Sequence, residues 1–227
     1  MMQAVRGDTT RPPLTRERVV RAAVALADRE GLDALTMRRL GADLGVQAMS
    51  LYKHVANKEE ILDAIVASVI AEIEIPRHGD DWRDAMHRRA KSARQVLTRH
   101  AWAIGLLESR RLMGPAVVAY LDAIVGCLRA AGFSIEQAAH AFWLLDCYVY
   151  GQVIQEISLS PRASAPPEAA ARSTPDPVLL EAYPSFAELI EHAGQHHYTL
   201  DGEFEHGLEL ILDSLQRTRR RARRTGR

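Results

Sequence analysis

Along this chain apolar residues recur at spacings of three and four, and alternating β-branched runs are scarce. That period belongs to helices with one buried face, so an all-α protein is expected. Residues 1–13, ending in Pro12-Pro13, read as a disordered arm. Thr15 is placed to N-cap a first helix, with Leu14 and Val19 stapled across the cap. The helix runs to about Arg29, with Val20, Ala23, Val24 and Ala27 on its inner face, and Gly31 stops it. Thr36 caps a short second helix, "TMRRLGADLG", and a turn at "LGV" leads into a third that reaches about Val55. Asn57 caps a fourth helix of roughly eighteen residues, closed by Pro76 and Gly79. Further helices are expected over Asp81–His100, Trp102–Arg110 and Gly114–Arg129. Ser134 and Gln137 have the capping-box form that opens a helix to about Ile157. The Pro-, Ala- and Ser-rich stretch 160–177 reads as a mobile loop, before short helices around Ser185–His192 and Gly202–Leu215. There is no internal repeat. The expected organisation is the arm 1–13, a compact three-helix domain 14–60, a larger helical domain 61–216 and a disordered basic tail 217–227.

Composition narrows the class. The 227 residues, 47% apolar and 26% charged, suffice for a sizeable core. Two cysteines, Cys127 and Cys147, do not make a disulfide framework. The opening "MMQAVRGDTTRPP" has no apolar signal core, and the richest apolar runs are broken by Asp or Glu. A cytoplasmic protein without membrane contact is expected. The net charge of zero conceals three blocks: residues 1–58 carry +4, residues 59–216 carry −11, and residues 217–227 carry +7. A basic block beside an acidic body points to a polyanion partner for the first block alone.

The charge step falls where the chemistry concentrates, in "LGVQAMSLYKHVANKEEI". Two short helices joined by a tight turn, the second facing outward, form a helix-turn-helix. Leu51 and Val55, four apart, turn inward with Leu40 and Leu44. Gln47, Ala48 and Met49 stand at the start of the outward helix, the end that meets base edges in such motifs. Tyr52, Lys53, His54 and Lys58 are placed to bond phosphates. Double-stranded DNA is one partner this face suits; an all-helical protein-interaction module is the rival reading, and it leaves the charge step at Lys58 unexplained. Catalytic signatures such as a P-loop, G-x-G-x-x-G, H-E-x-x-H or G-x-S-x-G are missing, and an enzyme is not expected.

The stretch 14–65, with "LTMRRLGADLGV" followed by "SLYKHVANKEEILDA", resembles the DNA-binding domain of tetracycline-repressor (TetR) family regulators. More weakly, "WRDAMHRRAKSARQVLTRH", "AAGFSIEQAAHAF" and "FEHGLELILDSL" resemble the ligand-binding domain of the tetracycline repressors. The resemblance implies a homodimeric transcriptional regulator, most often a repressor, that binds a palindromic operator and is released by a small-molecule effector. It implies that Arg38 reaches a guanine, which arginine reads through O6 and N7. Ala48, Met49 and Ser50 fall at base-contacting positions. Being small or apolar, they suit thymine methyls better than amide readout of adenine, a role open to Gln47 one position earlier. Thr36, Tyr52, His54 and Lys58 match phosphate contacts, and Lys53 replaces an aromatic residue there. Tyr52 and His54 have a second reading, as seals of the three-helix core. Arg38 has one as a partner of Asp43, and Thr36 caps its helix in any case.

For the body the resemblance implies a dimer interface, commonly a four-helix bundle, on the last long helices. Ser134–Ile157 and Phe204–Leu215 are expected to form it through Phe142, Leu145, Val149, Val153, Phe204, Leu208, Ile211 and Leu215. It also implies a pocket whose ligand shifts a hinge helix, 59–75, and so changes the separation of the two reading heads. Candidate pocket residues are Arg89, Trp102, Leu106, Leu107, Arg110, Trp143, Asp146, Cys147 and Tyr150. Arg89 replaces a drug-binding amide of the tetracycline repressors, Leu107 a metal-binding histidine and Ala93 a phenylalanine, which argues against tetracycline. Arg89 either favours an acidic ligand or forms a surface ion pair with Asp84 or Glu136. Asp146 gives either pocket polarity or an interface hydrogen bond. No cofactor or metal is expected: His192 and His196 lack a third ligand in view, and Cys127 and Cys147 read as core thiols.

Overall fold

The computed structural model describes residues 13–109, 114–159, 177–195 and 199–225. Among these the chain is helical throughout, with no strand. The helices are α1 (Arg16–Glu30), α2 (Met37–Leu44), α3 (Ala48–Leu51), α4 (Lys58–Ile70), α5 (Trp82–Arg99), α6 (Trp102–Ser109), α7 (Pro115–Ala130), α8 (Ile135–Leu159), α9 (Pro177–Ala182), α10 (Pro184–Gln195) and α11 (Leu200–Thr225). They divide into two compact units: Met1–Glu72 with Trp102–Val117, and Ile73–Ala101 with Val118–Arg227.

Local chemistry starts and stops each helix of the first unit. Thr15, Thr36 and Asn57 accept from Arg18 N, Arg39 N and Glu60 N at 3.2, 3.1 and 2.8 Å. Glu60 in turn accepts from Ala56 N at 2.7 Å. Gly31 and Gly45 take φ of 82° and 66°, where a side chain would be strained. The inner face of α1 is Val19, Ala23, Leu26 and Ala27. It is rotated from the expected one, because Leu26 rather than Val24 fills the centre and Val20 stays half-buried. With Leu35, Leu40, Leu44, Leu51, Val55, Ile61, Leu62 and Ile65 it makes one core, and Trp102 and Leu106 of α6 pack against it.

Two boundaries differ from expectation. Helix α4 ends at Ile70 instead of near residue 75. Pro76 disfavours the helical region at Ile75, and Glu74 N donates to Ser92 Oγ of α5 at 2.9 Å, which ties the segment to α5. Helix α11 runs on through Thr225 rather than giving way to a disordered tail at residue 217. Neither Gly nor Pro interrupts residues 208–225, and arginine is a good helix former. The expected loop 160–177 and the arm lie outside the described residues, apart from Pro13 and Pro177.

In the second unit α5 and α11 both pack on α8. Trp82 meets Phe133 edge to face at 4.9 Å. Ser134 and Gln137 form the expected reciprocal cap, at 2.9 and 3.1 Å. The acidic character of the body is answered by α5: Arg83 pairs with Glu209 and Asp213, Lys91 and His87 with Glu205, and Arg94 with Glu156 and Asp201.

Candidate functional site

The helix-turn-helix is built by one close approach. A Cβ on Gly41 would stand 2.9 Å from Val46 O and 3.2 Å from Ala48 N, so only glycine lets α2 support the turn into α3. Leu51 and Val55 are buried, which fixes which way α3 faces. Only Ala48–Leu51 is regular helix; the turn continues as His54 and Val55 donate to Leu51 O at 2.9 and 3.1 Å. Opposite the buried side, Gln47, Met49, Tyr52, Lys53 and Lys58 are exposed, and Ala48, Ser50 and His54 are half-buried. Met49 is 72% and Tyr52 45% exposed, so Tyr52 does not seal the core.

The two adjacent arginines of α2 differ in their freedom. Arg39 donates to Glu30 at 2.6 Å and lies 3.5 Å from Asp43. The hydrogen bond to Glu30 and the field of Asp43 raise its pKa. Asp43 also accepts from Arg29 at 2.6 Å. Arg38, beside it, is exposed and has no partner among the described residues, so the expected alternative of an Arg38–Asp43 pair does not occur. Thr36 is an N-cap and its side chain remains exposed.

In the body the structure corrects Arg89. It is not a surface residue paired with Asp84 or Glu136 but 1% exposed. It donates to the Tyr120 hydroxyl through Nε at 2.8 Å and through Nη2 to the Asp146 carboxylate. Its guanidinium lies over the Tyr120 and Phe142 rings at 5.1 and 5.6 Å, and Nη1 has no hydrogen-bond partner among the described residues. Burial works against the charge, but Tyr120 and Asp146 outweigh it and raise the pKa, so Arg89 is a cation at any ordinary pH. Burial pushes the Tyr120 phenol up to about 12. Tyr120 was not foreseen, although its inward spacing with Ile124 and Leu128 on α7 is legible.

Trp102 donates to Asp28 at 2.7 Å and, with Leu106, packs on the first unit's core; Leu107 is half-buried. Trp143 is 63% exposed, and Cys147 is exposed rather than a core thiol. Tyr150 is half-buried, while Arg110 and His196 lie outside the described residues. A groove of about 890 Å³ lined by Lys91, Arg94, Gln95, Glu156, Asp201 and Phe204 contains none of the expected nine. Among the described residues no group of three His, Cys, Asp or Glu is placed to hold a metal.

Of the expected dimer residues, Leu145, Val149, Val153, Phe204 and Leu208 are at most 1% exposed and Leu215 8%, buried within their own chain, where α5 and α11 pack on α8. Phe142 and Ile211 are half-buried. The outward apolar stripe is instead Trp143, Cys147, Ile154 and Ile157 on α8, with Leu210 on α11.

Residues 19–65 match the family model described as bacterial regulatory proteins, tetR family, and residues 75–219 match the tetracyclin repressor-like C-terminal domain. The chain belongs to the TetR family. It is thus a DNA-binding transcriptional regulator and not an enzyme. The HTH-type transcriptional repressor DrrR1 of Streptomyces coeruleorubidus is 32% identical over 91% of this chain and 78% of its own. The class A tetracycline repressor of Escherichia coli is 33% identical, over 88% and 90%. Apo ActR of Streptomyces coelicolor superposes with a TM-score of 0.72 at 29% identity, covering 92% of this chain and 98% of its own, and ActR is also known in complex with actinorhodin. Within this family the regulator acts on DNA as a dimer and answers to a small molecule. No helix among the described residues is long and apolar enough to cross a membrane.

Proposed function

We propose that this chain is a cytoplasmic homodimeric repressor whose α2–α3 face reads a palindromic operator. Arg38 and Gln47 are its polar base-reading groups, with Ala48, Met49 and Ser50 against the base edges. Thr36, Tyr52, Lys53, His54 and Lys58 hold the phosphates. The observation that carries this reading is the contrast within α2. Arg39 is neutralised by Glu30 and Asp43, whereas Arg38, one position earlier, stands exposed without a partner among the described residues. An unpaired guanidinium beside an exposed reading helix suits bidentate contact with guanine.

A second copy is proposed to cover the outward stripe of Trp143, Ile154 and Leu210, which are 63%, 52% and 56% exposed. Apolar side chains so aligned on long helices suit a two-fold interface. The effector is proposed to act through α5, whose chain continues through residues 73–81 to α4 and through 100–101 to α6. It need only bind the released state more tightly than the DNA-bound one by a few kcal/mol. Leu107 offers no metal ligand, so a magnesium–tetracycline effector is not supported. The test is operator binding by the purified protein across a salt series, first on the DNA flanking its own gene. Arg38→Ala should weaken binding by about 1–3 kcal/mol, whereas Arg39→Ala should change it by under about 0.5 kcal/mol. Equal losses would overturn the assignment of Arg38.

A further inference from the structure

From the C-terminal turns of α11 we infer a second DNA contact, in addition to the α2–α3 face: a row of arginines that holds phosphates without regard to sequence. The charge blocks alone assign a polyanion to residues 1–58, with 217–227 expected as a disordered tail. A helix that runs on through Thr225 changes this, because it sets those arginines in register. Its rotation is fixed from the inner side. Leu208, Leu212 and Leu215 are buried, and Arg219, at the same spacing, is half-buried. The Arg219 guanidinium lies over the Trp82 and Phe133 rings at 5.5 and 5.8 Å and donates to Ala131 O at 3.3 Å. At about 100° per residue, positions 217, 220, 221 and 224 then fall on the opposite side of the helix, along about 10 Å of its length.

Nothing on α11 neutralises this row. Arg217 and Arg220 are exposed and hold no partner among the described residues. The nearest carboxylates on the helix are engaged by α5: Glu205 with Lys91, Glu209 and Asp213 with Arg83. Residues 214–227 contain no Asp or Glu. The chemistry then selects the partner. All seven cations of residues 217–227 are arginine and none is lysine. The planar fork of arginine grips a phosphate through paired hydrogen bonds. A helix that lies on a membrane needs an apolar face, and Ala222 is the only apolar residue of 216–225. A row of cations with no base-reading group beside it suits the duplex backbone, where charges follow one another closely.

The test compares the full-length parent with the combined variant Arg217→Gln, Arg220→Gln, Arg221→Gln and Arg224→Gln, glutamine being a good helix former. Arg219 is kept, since it packs on Trp82 and Phe133. Each protein is titrated with a labelled duplex of arbitrary sequence across a salt series. The head is the same in both, so the difference reports the row. The slope of log affinity against log salt should flatten by about 3–4 per chain. That is about a hundredfold less loss of affinity between about 50 and about 200 mM salt. Lysine at the same four positions should restore most of the slope, because it keeps the charge. Equal slopes in parent and glutamine variant would overturn the inference; if that variant instead loses binding to poly-glutamate, the row meets an acidic protein. A glutamine variant that elutes as a smaller species than the parent would also overturn it, by assigning the row to contact between copies. A slope difference in a protein that prefers no operator would uphold this contact while the reading of the head falls.

Discussion

Asp146→Ala isolates the buried ion pair of the body. The substitution leaves the Arg89 guanidinium, 1% exposed, with only the Tyr120 hydroxyl and two ring faces for company. Arg89 cannot shed its proton to escape, since its pKa is raised rather than lowered. Stranding one member of a buried pair costs about 3–5 kcal/mol, a large part of a stability of about 5–15 kcal/mol. Arg89→Met should cost less, because Asp146 keeps 8% exposure and is able to take up a proton. The double variant Arg89→Met/Asp146→Leu should return close to the parent. Apolar replacement of a buried pair is neutral or favourable by about 1–4 kcal/mol, offset by about 1–3 kcal/mol for the orphaned Tyr120 hydroxyl. The assay is urea unfolding at one fixed protein concentration, read by circular dichroism, with equal m-values required before stabilities are compared. If Asp146→Ala loses under about 1 kcal/mol, or the double variant loses the sum of the singles, Arg89 does not depend on Asp146 for compensation of its buried charge.

Gly41→Ala drives a Cβ to within 2.9 Å of Val46 O, which is backbone and cannot swing aside. It should destabilise by about 1–3 kcal/mol and weaken operator binding beyond that loss, as thermal melts and binding titrations together would reveal. Glu205 is held below its ordinary carboxylate value of 4.5 by hydrogen bonds from Lys91 and His87. Its contribution is therefore full above that value and lost as pH falls toward the depressed one. The melting-temperature gap between parent and Glu205→Gln should be open above pH 4.5 and narrow as the pH falls below it; a gap that widens on acidification would contradict the sign. Trp143→Asp with Ile154→Asp should yield monomers on a sizing column, and a dimer retained through both changes would place the interface elsewhere.

The fold class and the head could be read from the sequence, because their causes are local. Thr15, Thr36 and Asn57 cap helices through bonds to residues three positions on, and Leu40, Leu51 and Val55 declare an inner face by spacing alone. Arg89 also stood on a legible stripe, with Trp82, Met86, Ala93 and Val96, but charge outweighed spacing in its reading. Other features depended on residues far apart in the chain. Asp146 and Tyr120 meet Arg89 from helices 57 and 31 positions away. Several α8 residues that looked ready for a partner are buried within their own chain, where α5 and α11 pack on α8, because a helix apolar over most of its circumference does not say which side its own chain will claim. Helix-forming pattern is a property of neighbours. Which apolar side is buried, and which cation finds which carboxylate, is decided only when distant segments compete for the same surface.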